Sequence, residues 1–391
     1  MKSKKTTVAI TLFYVCALLL LASCKVSRNE SILITVPVES GTTRLKPAGA
    51  IRVMGFTRLD VSATEGIGRF RGISKVLFDN GRIIVFDNVS DFQNIWHFDA
   101  ETGMLTGKLA LEGGERQISD IALDAQGNTL CLTPAKRCFQ RYDRNGNLSD
   151  TRLNGVLGDG VLAVGSDRIL VYNEYSATDI SGYHQLIYFD EAGNVLRRQY
   201  PYSPELDNIA YSLSGFIAQS DEKNWFSPPF CDTVYALEGY NIIPRYVFDF
   251  GGKSVPEGLR RRKIQSGWDL HDFAYLSESF LKIGDYILFD YFMNQKMHLA
   301  FYNEQTETLG RLPDLSDDCL GELLQYGQIA CKDANTFALA LSAVQIRKMA
   351  EQQKIDLTAM ERCHPSLALA LRAIAYSDSR DPVLLYLAFA P

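Results

Sequence analysis

The chain has 391 residues, of which 46% are hydrophobic, and it carries a formal net charge of −6. A chain of this length can bury a core without the help of disulfides. Its acidic balance argues against nucleic acid and anionic lipid headgroups as partners.

The N-terminus has the pattern of an export signal. Lys2, Lys4 and Lys5 precede an apolar run from Val8 to Leu21, and Ala22-Ser23-Cys24 follows. A basic start, an apolar stretch and small residues predict a secretory signal peptide over residues 1–23. The apolar run is shorter than the about 20 residues that a membrane-spanning helix needs.

Leu21-Ala22-Ser23-Cys24 resembles the lipobox of bacterial lipoproteins. That resemblance implies cleavage before Cys24, a diacylglycerol on its thiol and a third acyl chain, such as palmitate, on its amine. Several acyl chains anchor a protein stably, because each buried CH₂ contributes about 0.8 kcal/mol. The alternative is an ordinary signal peptide with a cysteine at its cleavage site. Loss of residues 1–23 removes three lysines and no acid, which changes the net charge from −6 to −9.

Beyond the leader, short apolar strands alternate with Gly, Asn and Asp turns, and one unit recurs five times. Each copy has a strand, a polar loop, a strand ending in an aromatic residue and Asp or Asn, and a turn, as in Gly81–Asp87, Ile95–Asp99 and Thr102-Gly103. The marker residues are Asp99, Asp143, Asp190, Asp249 and Asn303. We expect the marker side chain to cap the turn, whose Gly or Asn supplies a positive φ.

This repeat predicts an all-β fold, a β-propeller, because one such sheet cannot bury both faces alone and a ring of sheets can. Residues 45–391 have room for six blades of about 57 residues or seven of about 49. The marker spacings of 44, 47, 59 and 54 residues favour six. A sandwich does not repeat a whole meander five times, and a β-helix repeats in far shorter coils.

The tail predicts a short helical insertion in the last blade. Ser342-Ala-Val-Gln345 is a capping-box signature that opens a helix to about Lys354, and Thr358–Glu361 is a second such signal. Pro365 can open a helix to about Ala375. Val383–Phe389 is then a final apolar strand.

Residues 24–44 are predicted to form a tether between the lipid and the propeller. Within it, Ile32–Val38 has strand character and either closes the ring or extends from it. The propeller itself is assigned to residues 45–391.

Four features of the mature chain occur together and in order: the lipobox, Ile73–Asp87, Cys231–Tyr235 leading to Pro244–Gly251, and Asp381–Tyr386. In these features the chain resembles the six-bladed β-propeller lipoproteins of Gram-negative gut anaerobes. The resemblance implies the fold and the anchoring, and a relationship to TolB-like and NHL-like propellers that mostly bind other macromolecules. The family usually has a Gly-Pro-Gly-rich turn between its first and second blades, and this chain departs from it with Gly113–Arg116.

No catalytic, metal or cofactor motif is evident. Ser212-Leu-Ser214-Gly215 lacks the leading glycine of a nucleophile elbow, and no H-E-x-x-H sequence is present. His97 and His298 fall on second strands, where a structural role is expected. Gly66–Gly72 misses the phosphate-loop spacing, and the acidic stretch Asp314–Asp318 lacks that of an EF-hand.

Two stretches are candidates for a binding surface, because aromatic and Arg residues are enriched at interfaces. They are the aromatic, proline-stiffened segment 225–230 and the basic segment 260–272. The candidate residues are Trp225, Phe226, Phe230, Arg261, Trp268 and His271. The alternative is inter-blade packing for the aromatic residues and a solvated face for the charges.

The cysteines lack zinc-site spacing and are expected to be mostly buried. Cys131 and Cys138 flank a predicted turn and are candidates for a disulfide across a hairpin.

We therefore predict a lipid-anchored propeller that acts as a binding or scaffolding module in the cell envelope, with a protein or glycan ligand. Lys25–Glu30 has only one, late acid, which favours the periplasmic face of the outer membrane over the cell surface. The alternative is a glycan lyase or hydrolase with acid and base groups around the central channel. A cluster of carboxylates at the mouth of the channel would favour the enzyme.

Overall fold

The computed structural model describes residues 31–36, 51–65, 69–88, 93–109, 111, 118–208, 215–220, 223–260, 270–312, 319–325 and 327–390. Several positions discussed above lie outside the described residues, namely 1–23, Cys24, Gly66–Gly68, Gly113–Arg116, Arg261, Trp268 and Asp314–Asp318.

The strands form six sheets in a ring, which confirms the predicted six-bladed β-propeller. Two strands precede the repeats: β1 (Ile32–Thr35) and β2 (Ile51–Arg58). Blade 1 has β3 (Lys75–Asp79), β4 (Arg82–Asp87), β5 (Asn94–Asp99) and β6 (Leu105–Lys108). Blade 2 has β7 (Asp120–Leu123), β8 (Thr129–Thr133), β9 (Cys138–Tyr142) and β10 (Leu148–Leu153). Blade 3 has β11 (Gly160–Val164), β12 (Arg168–Tyr172), β13 (His184–Asp190) and β14 (Val195–Pro201).

Blade 4 has β15 (Phe216–Ser220), β16 (Lys223–Ser227), β17 (Thr233–Glu238) and β18 (Asn241–Asp249). Blade 5 has β19 (Ala274–Ile283), β20 (Tyr286–Met293), β21 (Lys296–Asn303) and β22 (Thr308–Arg311). Blade 6 has β23 (Gln328–Cys331), β24 (Thr336–Leu341) and β25 (Val383–Phe389), with β2 as its outermost strand. The first strands of the repeats (β3, β7, β11, β15, β19 and β23) contact one another in sequence around the central axis.

The blades are held together by apolar side chains on both faces of each sheet. In β4, Ile83 and Val85 pack toward blade 6, whereas Ile84 and Phe86 pack toward blade 2. Each interface between neighbouring blades has its own buried cluster of this kind. The central strands, such as β4 and β12, are therefore almost continuously apolar, because both of their faces are covered. The outermost strands β10 and β14 are largely exposed and more polar.

The ring is closed by β2, which pairs antiparallel with β25 from Ile51 opposite Phe389 to Arg58 opposite Val383. β1 does not close the ring. It runs parallel to β18 as a fifth strand on the outer edge of blade 4, where Ile34 and Val36 are buried. Of the two alternatives for Ile32–Val38, ring closure is therefore wrong, and the strand instead attaches the N-terminal segment to blade 4.

The marker residues cap their turns as predicted. Oδ1 of Asp143 accepts hydrogen bonds from the backbone N–H groups of Asn145 and Asn147, both at 2.9 Å, and Gly146 has a φ of +84°. Asp190 accepts one from the N–H of Asn194 at 2.8 Å. Backbone hydrogen bonds, that from Asn147 first, lower the pKa of Asp143. Hydrogen bonds from the side chain and then the backbone of Asn194 lower the pKa of Asp190.

The repeat pattern places Asp249 at the end of the same strand of its blade as the other markers, and this placement is wrong. In blades 1, 2, 3 and 5 the marker closes the third strand, but Asp249 ends β18, the fourth strand of blade 4. The error explains the long spacing before Asp249. An aromatic-Asp end is not specific to one strand, since Asp249 also caps its turn through the N–H of Gly251 at 2.9 Å.

Gly103 joins a blade 1 turn to the closing strand, and its replacement by alanine is expected to destabilise the fold. Its φ is +71°, and a Cβ there would overlap the backbone oxygen of Arg58. We expect Gly103→Ala to lower the free energy of unfolding by about 3 kcal/mol in urea denaturation. Gly239→Ala is the control, because Gly239 has a φ of +62° with no atom within 4 Å of a Cβ. It should cost about 1 kcal/mol, the backbone strain alone; equal costs would contradict the predicted clash.

The predicted helical insertion is confirmed between β24 and β25. A short helix, α1 (Glu257–Arg260), follows blade 4, and the insertion contains α2 (Ala343–Glu351), α3 (Leu357–Cys363) and α4 (Pro365–Ala375). Short 3-10 helices cover Ser62–Thr64, Pro134–Lys136, Pro204–Leu206 and Gly321–Gln325. Ser342 and Gln345 form the predicted capping box of α2, but the N-cap of α3 is Asp356 rather than Thr358.

Candidate functional site

The six inner strands enclose a central cavity of about 800 Å³. This volume lies in the range of small-molecule sites. Each blade contributes an apolar residue to its wall, namely Val76, Ile121, Leu162, Ile217, Phe280 and Ile329. The wall also carries polar and charged groups, and these are concentrated where the inner strands begin.

We call the group of Asp120, Asp159, Tyr172, Glu174 and Glu278 the acidic mouth; all five line the cavity. Asp120 opens β7, and Asp159 immediately precedes β11. The start of β11 pairs with the end of β12, Gly160 opposite Tyr172, so Tyr172 and Glu174 lie at the same end as Asp159. Glu278 lies in an irregularity of β19 between Leu276 and Phe280.

Asp120 is neutralised by an ion pair with Lys75 of the neighbouring blade. Nζ of Lys75 lies 2.8 Å from Oδ1 and 3.0 Å from Oδ2 of Asp120. Oδ2 also accepts a hydrogen bond from the backbone N–H of Val161 at 2.9 Å. One carboxylate therefore connects blades 1, 2 and 3 at the mouth.

Two further carboxylates of the acidic mouth, those of Asp159 and Glu278, are harder to ionise. Burial, and then the charge of Asp120, raise the pKa of Asp159 to about 6. Burial and then the charge of Asp290 raise the pKa of Glu278. Both side chains are nonetheless exposed to the cavity, so a ligand there could reach them.

The hydroxyl of Tyr172 lies among these acids. Tyr172 is only 4% exposed, and its hydroxyl has no hydrogen-bond partner among the described residues. Burial first, and then the charges of neighbours that include Glu174, Asp159 and Glu278, raise the pKa of Tyr172 well above its usual value. Gly215 leaves room for this hydroxyl, because a Cβ at Gly215 would lie 2.5 Å from it.

The far end of the cavity carries its own ion pair. Nζ of Lys332 lies 3.6 Å from Oδ2 of Asp333 and 4.9 Å from the ring centroid of Tyr386. Ser220 is tied into the wall, since its Oγ accepts hydrogen bonds from the N–H of Lys282 at 2.8 Å and from Nε1 of Trp225 at 3.1 Å.

The aromatic part of the predicted binding surface is wrong. Trp225, Phe226 and Phe230 are 1%, 0% and 5% exposed. Trp225 packs against Tyr246 and the blade 5 residue Phe280, so these aromatic residues build contacts between blades, as the alternative held.

The basic part of the predicted surface is only partly described. His271 is exposed, and its Nδ1 lies 3.1 Å from Oδ1 of Asp272. Arg260 forms an ion pair with Asp232 at 2.6 Å. Neither residue lines the central cavity.

The predicted bridge between Cys131 and Cys138 is absent, and both are buried thiols. Cys131 lies opposite Gln140, and Cys138 lies opposite Thr133, so the two cysteines are diagonal neighbours. Such neighbours have Cβ atoms about 7 Å apart, too far for a disulfide. Instead, Cys319 before blade 6 is bridged to Cys363 at the end of α3.

The histidines predicted to be structural are placed accordingly. Burial lowers the pKa of His97 to about 4, and His97 is 3% exposed within β5. His298 stacks on Tyr291 with ring centroids 5.1 Å apart. Within the described ranges no group of three or more His, Cys, Asp or Glu side chains is arranged to hold a metal ion.

A family model described as a domain of unknown function, DUF4934, matches residues 69–366, which include most of the ring. The chain belongs to this family. No curated protein matches the sequence. Among solved structures, the chain is similar to a Bacteroides fragilis protein that is named as an exported protein. The two share 14% sequence identity and superpose with a TM-score of 0.70 over 92% of this chain and 100% of that one. A DUF4221 member from Bacteroides vulgatus is similar at 11% identity, with a TM-score of 0.51 over 87% and 98% of the two chains.

Because the sequence identities are low, the similarity shows that the DUF4934 chain shares a fold with the two proteins and shows nothing about its function. In the part of the chain that the structure describes, no helix is long and apolar enough to cross a membrane.

Proposed function

We propose that this DUF4934 protein is an exported, lipid-anchored binding module of the cell envelope whose ligand enters the central cavity. The observation that carries the proposal is the cavity of about 800 Å³ with charged groups gathered at one mouth. Pockets of this size with a few convergent polar groups are the usual sites for small ligands. The inferred export of the similar Bacteroides fragilis protein supports a location in the envelope.

Cys24 is the proposed anchor, and β1 determines how closely it holds the propeller. Cys24 precedes Ile32 by eight residues, which span at most about 28 Å when fully extended. Because β1 is fixed to β18 at the outer edge of blade 4, that edge would lie close to the membrane. We propose the periplasmic face of the outer membrane as the location.

Replacement of Cys24 by serine tests the anchor. We expect Cys24→Ser to move the protein from the membrane fraction to the soluble fraction, because the acyl chains are lost. Metabolic labelling with a clickable fatty acid should mark the wild type and not the variant. Labelling of both, or of neither, would contradict lipidation at Cys24. Release of the protein by protease treatment of intact cells would contradict the periplasmic face.

The binding role can be tested by native mass spectrometry of protein extracted from the envelope. We expect the wild type to carry a non-covalent small molecule that is lost on denaturation. Ala218→Trp, which adds an indole to the cavity wall, should reduce its occupancy. Ala192→Trp, in the exposed turn between β13 and β14, is the matched control and should retain the ligand. A wild type without a bound molecule, or a ligand occupancy in Ala218→Trp equal to that of the wild type, would contradict the proposal.

One observation favours the second candidate, a glycan lyase or hydrolase. The acidic mouth contains several carboxylates, and one of them, Asp159, has its pKa raised to about 6, as suits a group that exchanges protons near neutral pH. The test is to incubate the protein with envelope glycans and to follow new reducing or unsaturated ends. Turnover that Asp159→Asn abolishes would replace the binding proposal with the enzyme.

A further inference from the structure

We infer that the acidic mouth binds the ammonium group of a small organic cation whose apolar body lies along the cavity wall. This inference rests on the proposed function and names the chemistry of its ligand. It draws on the balance of charge in the cavity, on the hydroxyl of Tyr172 and on the apolar wall.

The charge of the cavity is unbalanced toward acid. Of the described residues that line it, five are acidic and two are basic. The acidic ones are Asp120, Asp159, Glu174, Glu278 and Asp333, and the basic ones are Lys75 and Lys332. Both lysines are engaged with carboxylates, Lys75 with Asp120 and Lys332 with Asp333. Asp159 and Glu278 therefore add negative charge at one mouth that neither lysine balances, and a cation would be stabilised there.

Tyr172 supplies a second, independent indication of a ligand. A buried hydroxyl without a partner costs free energy, and such groups in native proteins usually meet a ligand or water. The Tyr172 hydroxyl is buried, lacks a partner among the described residues and lies within the influence of Asp159, Glu174 and Glu278. An ammonium group has three N–H donors, which carboxylate oxygens and a phenol oxygen can accept.

The apolar wall selects the rest of the molecule. Beyond the mouth, the partly exposed side chains of Leu77, Ile217, Ala218 and Ile329 line the cavity. An alkyl or aromatic body placed there would be removed from water, with a gain of about 0.8 kcal/mol for each buried CH₂. The site therefore fits an amphiphilic amine better than a free inorganic cation.

Three probes with the same six-carbon body test the inference: hexylammonium, hexanol and hexanoate. In calorimetric titrations of the mature protein at pH 7.5, we expect hexylammonium to bind at least tenfold more tightly than hexanol, and hexanoate to bind least. Asp159→Asn and Glu278→Gln, which keep the shape of each side chain, should each weaken hexylammonium at least threefold and leave hexanol unchanged. Asp272→Asn, at an exposed acid outside the cavity, should change neither.

Binding of hexanoate as tight as that of hexylammonium would overturn the inference, as would unchanged affinity in both cavity variants. Tight binding of calcium that competes with hexylammonium would replace the organic cation with a metal ion. The failure of this inference can be told from failure of the proposed function. If an envelope ligand is lost in Ala218→Trp but hexylammonium does not bind, the organic cation is wrong and the binding function remains supported.

Discussion

Replacement of Leu385 by alanine is expected to lower the free energy of unfolding by about 3 kcal/mol. Leu385 lies on β25, the strand that joins β2 to the rest of blade 6, opposite Phe56 on one side and Leu339 on the other. It is fully buried in the cluster that also holds helices α2 and α4 against blade 6. Truncation would therefore leave a cavity at the point where the ring closes, and urea denaturation followed by circular dichroism would measure the loss.

Leu369→Ala provides a matched control for this prediction. Leu369 lies on α4 of the same insertion but is 68% exposed, so its truncation should change the free energy of unfolding by less than about 0.5 kcal/mol. Similar costs for the two variants would mean that β25 does not close the ring as described.

Removal of the disulfide between Cys319 and Cys363 should have an effect of similar size. The bridge closes a loop with a sequence separation of 44 residues and ties the segment before blade 6 to the end of α3. A loop of this length predicts a loss of about 4 kcal/mol when both cysteines are replaced by serine, because the unfolded chain regains its freedom. Thermal unfolding of the double variant and of the wild type would measure the difference.

Reductant supplies the control for the disulfide. Dithiothreitol should lower the melting temperature of the wild type toward that of the Cys319→Ser/Cys363→Ser variant and should leave the variant unchanged. A wild type that resists reductant, or a variant as stable as the wild type, would contradict a stabilising bridge.

The features that follow from local sequence could be predicted. Asp143 and its turn are determined by hydrogen bonds to residues two and four positions away, and the capping box of Ser342 and Gln345 is equally local. The six blades followed from the repetition of such turns. Local patterns predict the turns and the number of blades because each blade is a meander of strands that are consecutive in sequence.

The features that depend on contacts distant in sequence could not be predicted. Strand β1 attaches to β18 more than 200 residues away, where Ile34 packs with Tyr246 and Phe248. The sequence predicts Trp225 at the surface, because its loop-like, proline-rich neighbourhood does not reveal its packing on Phe280 of the next blade. Likewise, nothing in the spacing of the cysteines singles out Cys319 and Cys363.

The acidic mouth was missed for the same reason. Its acids come from three different blades and are scattered over more than 150 residues of the chain. One signal could have found Asp159, which lies between two glycines directly before an inner strand. In a propeller the inner strands all begin at the same mouth, so polar residues at their starts converge there. That inference requires the order of strands within each blade, and blade 4 was assigned incorrectly.

The pH dependence of hexylammonium binding tests most directly whether the acidic mouth is the ligand site. An alkylammonium stays charged throughout, whereas the pKa of Asp159 lies at about 6. Because the cation favours the ionised carboxylate, affinity should be nearly full at pH 7.5 and should fall at pH 5, by up to about tenfold from Asp159 alone. The Asp159→Asn/Glu278→Gln double variant should bind weakly and almost independently of pH. An affinity of the wild type that is constant from pH 5 to pH 7.5, or that rises as the pH falls, would contradict a ligand site at the acidic mouth.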